Sequence, residues 1–324
     1  MHRRLMMSTL CAVAALGSLP GVAWAAYPDK PITFVVPFPP GGPADGYGRA
    51  MAAALSEKMK VTVVVENKSG VGGALGVQSV ARAAPDGYTI GMAGSGATIF
   101  TPLMTDKALV DVFKETTMLT KMVRTPNFLV VGQHVKANNV AELIAQAKAQ
   151  PGKLTYASAG VGSGPHILAE LFKQQTGVDI VHVPYKGATP ALTDLMGGQV
   201  DLFFGEAPGV LPLVKAGKLR ALFTTDEKRA KWLPDVPHAK EVGLPNVVAD
   251  GFYGLVAPAG LPPDVANTLK KAIADALNSP ELAEKFDQQA GVPEPSTGEQ
   301  YSSYVRAEQV RWLPVIRKGN IKLE

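Results

Sequence analysis

Two glycine-rich loops carry the residues whose types and spacing suit anion chemistry. The first, Pro37-Phe38-Pro39-Pro40-Gly41-Gly42-Pro43-Ala44-Asp45, leads from an apolar β-branched run into a helical pattern. Prolines stiffen such a loop, glycines let backbone N–H groups approach a ligand, and a helix start favours negative charge. Its candidate ligand residues are Phe38, Gly41, Gly42 and Asp45. The same string also reads as an ordinary strand-to-helix turn capped by Asp45. The second loop, Tyr156 to His166, places Ser158, Gly162, Ser163 and His166 in one turn. Two hydroxyls, three glycines and an imidazole there can wrap a carboxylate in donors. The alternative is a flexible turn in which Ser163 caps the helix and His166 packs in its first turn. A third stretch, Ala93 to Thr98, adds Ser95, although a Gly-Ser turn is common by itself.

Signatures of catalysis fail on inspection. Val161 stands two residues before Ser163, so the G-x-S-x-G elbow is absent. Ser69 to Gly76 follows a strand pattern but has Leu75 where the dinucleotide fingerprint needs its third glycine, and no Walker loop occurs. His134, His166, His182 and His238 have no i, i+4 histidine partner and no adjacent cysteine, which argues against a metal site. No cofactor is implied.

The loops need elements to hold them. Short β-branched runs alternate with helical patterns: Ile32 to Val36, Ala44 to Lys58, Val61 to Glu66, Ala74 to Ala83 and Tyr88 to Ala93. A second alternation begins with strand Phe128 to Val131 and runs through helix Val140 to Lys148, strand Leu154 to Ala157, helix His166 to Gln175, strand Ile180 to Val183, helix Pro190 to Met196 and strand Val200 to Phe204. Strand Leu219 to Thr224, an extended run Phe252 to Val256 and three final helices follow. Those helices have no sheet of their own, so the chain is expected to return to its first lobe. The expectation is an α/β protein of two lobes with a ligand cleft between them: residues 26–124 and 247–324 in lobe 1, residues 125–246 in lobe 2.

The chain ends set the compartment. Arg3 and Arg4 precede an apolar run from Leu10 to Val22 and the triplet Ala23-Trp24-Ala25, the pattern of an export signal spanning residues 1–25 with cleavage after Ala25. Cleavage removes the only cysteine, Cys11, which excludes disulfides and thiol catalysis. The formal charge of +4 falls to +2, with no long basic run, so nucleic acid is not an expected partner.

The residues resemble the Bug family, the extracytoplasmic receptors of tripartite tricarboxylate transporters. The likeness spans the mature chain and rests on Tyr27-Pro28-Asp29-Lys30-Pro31-Ile32, on Pro37 to Asp45 followed by Arg49, and on Val65 to Gly70 continuing to Pro85-Asp86-Gly87-Tyr88-Thr89. Further along it includes the Tyr156 to His166 loop, His182-Val183-Pro184-Tyr185-Lys186-Gly187, Gly198-Gln199-Val200-Asp201, Leu233 to Pro237 and Ala257-Pro258-Ala259-Gly260. The resemblance implies a type II periplasmic-binding-protein fold, a carboxylate held by the two loops and membrane transporter subunits as partners; a monomer in the periplasm is expected. It adds Phe204 and Glu206 to the candidate site. Departures fall at Thr98 and Thr101, where the family often has a histidine and an asparagine, at Gly205 for a frequent aspartate, and at Phe252 for a common tryptophan. Glu206 would repel a carboxylate unless it binds an ammonium or hydroxyl, and is expected to face away. Two other readings stay open on the same scaffold: an enzyme, and a sensory subunit that presents its ligand.

Overall fold

The computed structural model describes residues 27–323. The export segment, its cleavage point and Cys11 lie outside the described residues. The first half of the chain builds β1 (Ile32–Val36), α1 (Pro43–Met59), β2 (Val63–Asn67), α2 (Ala74–Ala81) and β3 (Thr89–Gly94). A π-helical turn, Gly96–Phe100, leads into α3 (Thr101–Leu103), then β4 (Thr116–Thr125) and β5 (Asn127–Gly132). Next come α4 (Val140–Ala149), β6 (Thr155–Ser158), α5 (Gly164–Thr176), β7 (Val181–Pro184), α6 (Ala188–Met196), β8 (Leu202–Glu206), α7 (Ala207–Lys215) and β9 (Leu219–Thr224). The chain ends with β10 (Gly251–Pro258), α8 (Pro263–Leu277), α9 (Pro280–Gln288), β11 (Val292–Pro293) and α10 (Gly298–Lys318).

Two sheets result. The first has the order β11-β4-β10-β3-β1-β2, with β1 parallel to β2 and β3, and β10 antiparallel to β3 and β4. The second has the order β7-β6-β8-β5-β9, parallel across β7-β6-β8 and antiparallel where β5 meets β8 and β9. Parallel strands need helical crossovers and are covered on both faces, which is why β1 is almost wholly apolar and buried. The chain leaves the first sheet through Thr125-Pro126-Asn127 and returns through residues 225–250. Arg124 joins both crossings, with its guanidinium 3.2 Å from Asp226 and 3.4 Å from Asp250.

The core has three parts. Under α1, α8 and α9, the first sheet buries Tyr47, Met51, Leu55, Leu269 and Phe286. Under α6 and α7, the second sheet buries Phe128, Leu195, Phe203 and Val210. The third part is continuous between the sheets: Phe100 and Met118 join Leu129, Phe172 and Phe204, with Trp312 and Ile316 of α10 among them. α10 starts in a capping box of Thr297 and Gln300, and the Gln174 side chain of α5 donates to the Val315 carbonyl at 2.7 Å.

Patterning alone assigns no element to β4 or α7. β4 reads Thr-Thr-Met-Leu-Thr-Lys-Met-Val-Arg-Thr, too polar for a central strand, and its Lys121 is buried because Glu294 pairs with it at 2.9 Å and Tyr304 offers a ring face. Pro208 and Pro212 hide α7, where the helix tolerates an internal proline.

β10 is buried along its length, and Gly254 in its middle lies against the ring of Tyr301, whose hydroxyl donates to Ala93 O at 3.0 Å. A Cβ at this position would overlap that ring. Gly254→Ala is therefore expected to cost about 1–3 kcal/mol. That corresponds to a fall of roughly 2 to 5 °C in Tm by calorimetry for a chain of this size; an unchanged Tm would show that the Tyr301 packing is dispensable.

Candidate functional site

Five strand ends feed helical turns around one cavity of about 290 Å³. Its wall includes residues at the starts of α1 (Pro43, Ala44), α5 (Gly164, Pro165) and α6 (Ala188, Thr189, Pro190), together with Ser95 and Gly96 after β3 and Glu206 at the junction of β8 and α7. The first N–H groups of a helix have no partner within it and carry the positive end of its dipole; at these starts Ala44, Gly164, Ala188 and Thr189 carry an N–H, whereas Pro43, Pro165 and Pro190 have none. Several such ends aimed at one volume make it favourable for negative charge. Lys186 is the only cation among the lining residues, and it is an exposed one. The apolar part of the wall comes from Phe38, Phe203, Phe252 and Tyr253. A neighbouring cavity of about 440 Å³, bordered by Ser69 to Gly73, shares Phe38, Pro39, Lys186 and Gly187 with it.

Asp45 holds the first loop from behind. Its carboxylate accepts from Gly41 N at 3.0 Å, from Arg49 Nε at 2.9 Å and from Asn67 Nδ2 at 2.9 Å, while Asn67 also donates to Phe38 O at 2.9 Å. Burial opposes the Asp45 charge, but the bonds from Arg49, Gly41 and Asn67 outweigh it and hold the carboxyl below its ordinary value. Asp45 is not the cap of α1. That position is Gly42, and Asp45 sits three residues further on. Gly41 needs its φ of +79°, a conformation glycine adopts without strain.

The second loop is braced by rings. His166 stacks on His182 at 4.1 Å between centroids, and His182 stacks on Tyr156 at 4.7 Å. Gly162 N donates to His166 Nδ1 at 3.3 Å, so that nitrogen is unprotonated. Ser158 Oγ lies 2.7 Å from His182 Nε2. Ser163, expected to cap α5 or to bind the ligand through its hydroxyl, makes no cap bond and donates instead to Gly160 O at 2.6 Å.

The candidate residues thus divide. Phe38, Gly42, Ser95, Ser163 and Glu206 line the cavity, whereas Gly41, Asp45, Ser158, Gly162 and His166 shape its loops from the second layer. Phe204 corrects the expectation: adjacent strand residues face opposite sides, and Phe204 packs on Phe172 and Phe223 while Phe203 meets the cavity. Glu206 is a second correction, since it faces the cavity and accepts from Tyr253 Oη at 2.9 Å. Burial pushes its carboxyl up to about 7, against the hydrogen bond from Tyr253, which lowers it. Tyr253, Lys186 and Thr189 escaped the sequence reading. A tyrosine in an apolar run carries no sign that its hydroxyl faces a cavity, but Lys186 lies in a stretch already noted for resemblance.

Segments belonging to the two sheets touch through glycines. A Cβ on Gly72 would come within 2.8 Å of Gly162 O, and one on Gly96 within 3.2 Å of the same oxygen. Pro39 abuts Gly187, and Pro43 abuts Gly209.

Two α/β sheets joined by two crossings, with helix starts converging on a cavity, define a solute-binding receptor of the periplasmic-binding-protein fold. The chain belongs to the tripartite tricarboxylate transporter family receptors, whose family model matches residues 48–321. It is 35% identical over 313 residues to protein BugT of Bordetella pertussis, covering 96% of both chains. Among solved structures it resembles Rpa4515 of R. palustris with adipate, with a TM-score of 0.88 and 33% identity over 91% of this chain and 99% of that one. It also resembles MatC from Rhodopseudomonas palustris with bound malate, with a TM-score of 0.85 and 29% identity over 90% of this chain and 100% of that one.

The ring stack generates a pH dependence. Burial lowers the pKa of His166, and burial followed by the neighbouring His166 lowers that of His182 to about 4; Glu170 acts upward on both and Lys173 downward. Folded values below the unfolded value of about 6.5 mean that the unfolded chain binds more protons in that interval. The contribution is whole above pH 6.5 and is lost as pH falls toward 4. Denaturant unfolding is expected to show this loss in the wild type and a flatter slope in His182→Gln; equal slopes would remove His182 from the account.

Proposed function

We propose that this chain is an exported periplasmic receptor that captures a small carboxylate between its lobes and presents it to membrane subunits of a tripartite transporter. Residues 1–25 serve as the signal, residues 26–124 with 247–324 and residues 125–246 form the lobes, and the receptor works as a monomer without catalysis. The convergence of helix starts on the cavity carries this reading. A carboxylate leaving water must regain several donors, and charge-assisted hydrogen bonds contribute about 1.5–3 kcal/mol each. Backbone N–H groups at Gly164, Ala188 and Gly96, with the Ser95 hydroxyl, are positioned to supply them. The adipate and malate of the neighbours' structures support the same ligand class.

The test is a thermal-shift screen of aliphatic and aromatic mono- and dicarboxylates. A ligand at 100 times its Kd stabilises by about 2.7 kcal/mol, which is a Tm rise of roughly 4 °C for a chain of this size. No rise with any carboxylate would refute the reading, and a chemically altered ligand after long incubation would favour an enzyme. Gly162→Val is expected to weaken binding of any hit more than tenfold, because φ is +78° there and the side chain would crowd Thr101. Calorimetry showing unchanged affinity would mean that the second loop does not shape the site.

A further inference from the structure

Glu206 is the only carboxylate among the residues that line the cavity, and the proposed carboxylate capture leaves it without a task. Both of its oxygens lie 2.9 Å from the Tyr253 hydroxyl. A phenol has one proton to donate, so it satisfies one oxygen at a time, whereas an ionised carboxylate can accept about four hydrogen bonds. Among the described residues no other hydrogen bond reaches the Glu206 side chain, which also makes no cap bond to α7 although it occupies the cap position. A carboxylate oxygen that is half-buried, borders a cavity and lacks a donor is a place for a donor brought from outside.

The charge pattern says which donor. Glu206 adjoins the crossings between the lobes, opposite Asn127 in the β5–β8 register and beside Gly251, whereas Lys186 stands where the cavity meets its neighbour. Among the lining residues the negative end therefore has no cation near it. A second carboxylate on the ligand would meet Glu206 as a like charge in a poorly solvated space, and an ammonium would meet it as a partner. Phe38, Phe203 and Tyr253 supply an apolar wall for the carbon atoms between the two ends.

We infer that Glu206 is the counter-charge for a protonated amine on the ligand, so that the preferred solute is a zwitterionic amino carboxylate. Its carboxylate lies toward the starts of α1 and α6, on the side of Lys186, and its ammonium on the free oxygen of Glu206. The inference rests on the carboxylate reading above and adds the chemistry of the second end. Glu206 acts here as a specificity-determining residue.

Calorimetry with matched probes tests it: 4-aminobutanoate and 5-aminopentanoate against glutarate and adipate, with pentanoate as the neutral-ended reference. The wild type is expected to bind an amino carboxylate at least tenfold more tightly than the dicarboxylate of matched length. Glu206→Gln keeps the shape and removes the charge. It is expected to lose at least tenfold toward the amino carboxylates, to gain toward the dicarboxylates, and to change little toward pentanoate. Tyr253→Phe, which keeps the carboxylate and removes its one donor, is expected to retain the preference for the amine. A wild type that prefers dicarboxylates, or a Glu206→Gln variant with an unchanged order of preference, overturns the inference and leaves carboxylate capture standing. Failure of every probe to bind either protein, when both unfold as folded proteins do, overturns the inference, and the reading beneath it falls with it when the full aliphatic and aromatic screen is also negative.

Discussion

A negatively charged solute in this cavity must be held mainly by the backbone, because among the described residues the wall contains a single, exposed lysine and no arginine. Much of the architecture follows from that constraint. Backbone donors must be left free and aimed inward, which the first turn of a helix does by its own geometry. To bring several helix starts to one point, the strands that feed them must end at one place, and parallel strands with helical crossovers achieve this in each sheet. Loops that carry donors close to a ligand must also keep side chains out of the way, which suits Gly42 and Gly164 in the wall, whereas Gly96 is held to glycine by the Gly72 carbonyl.

Free donors are useful only if they stay put, and the second layer provides that rigidity. Asp45 collects three donors around the first loop, and the Tyr156-His182-His166 stack stands behind the second. The two supports differ in kind. One is a charged carboxylate held by hydrogen bonds, and the other is a column of neutral rings that depends on burial. The second layer is therefore sensitive to acid through the rings far more than through Asp45, whose carboxyl is held below its ordinary value.

The sequence made the alternation of strands and helices legible because parallel strands buried on both faces appear as uninterrupted β-branched runs, as in Ile32 to Val36. It also pointed to both loops, since proline and glycine between a strand and a helix leave few other uses. The failures have physical reasons. β4 is a central strand whose polar residues are satisfied by partners distant in sequence, such as Glu294 for Lys121, and local pattern cannot contain them. Phe203 and Phe204 are neighbours of the same type, and only the pleat, set by pairing with β5 and β6, decides which one meets the cavity. Glu206 was placed facing away because a bare carboxylate in an anion site is unfavourable, and that argument holds only for ligands that are anionic at both ends. The division of labour between wall and brace was likewise hidden, because Ser163 and His166 have the chemistry of ligand contacts and use it on their own loop.

The C-terminal helix α10 belongs by sequence to the returning half of the chain, yet it packs on β4 and the π-helical turn while accepting a hydrogen bond from α5. Trp312 and Ile316 sit in a core that contains residues of both sheets. A shared core of this kind is expected to couple the melting of the two sheets despite their separate hydrogen-bond networks. Any movement between the two sheets would then pivot about this apolar core, with the cavity rim travelling farthest and the α10 side opening least. Solute would enter from the rim alone, past Pro39 and Lys186, and the molecule would have a front and a back to offer to any membrane partner.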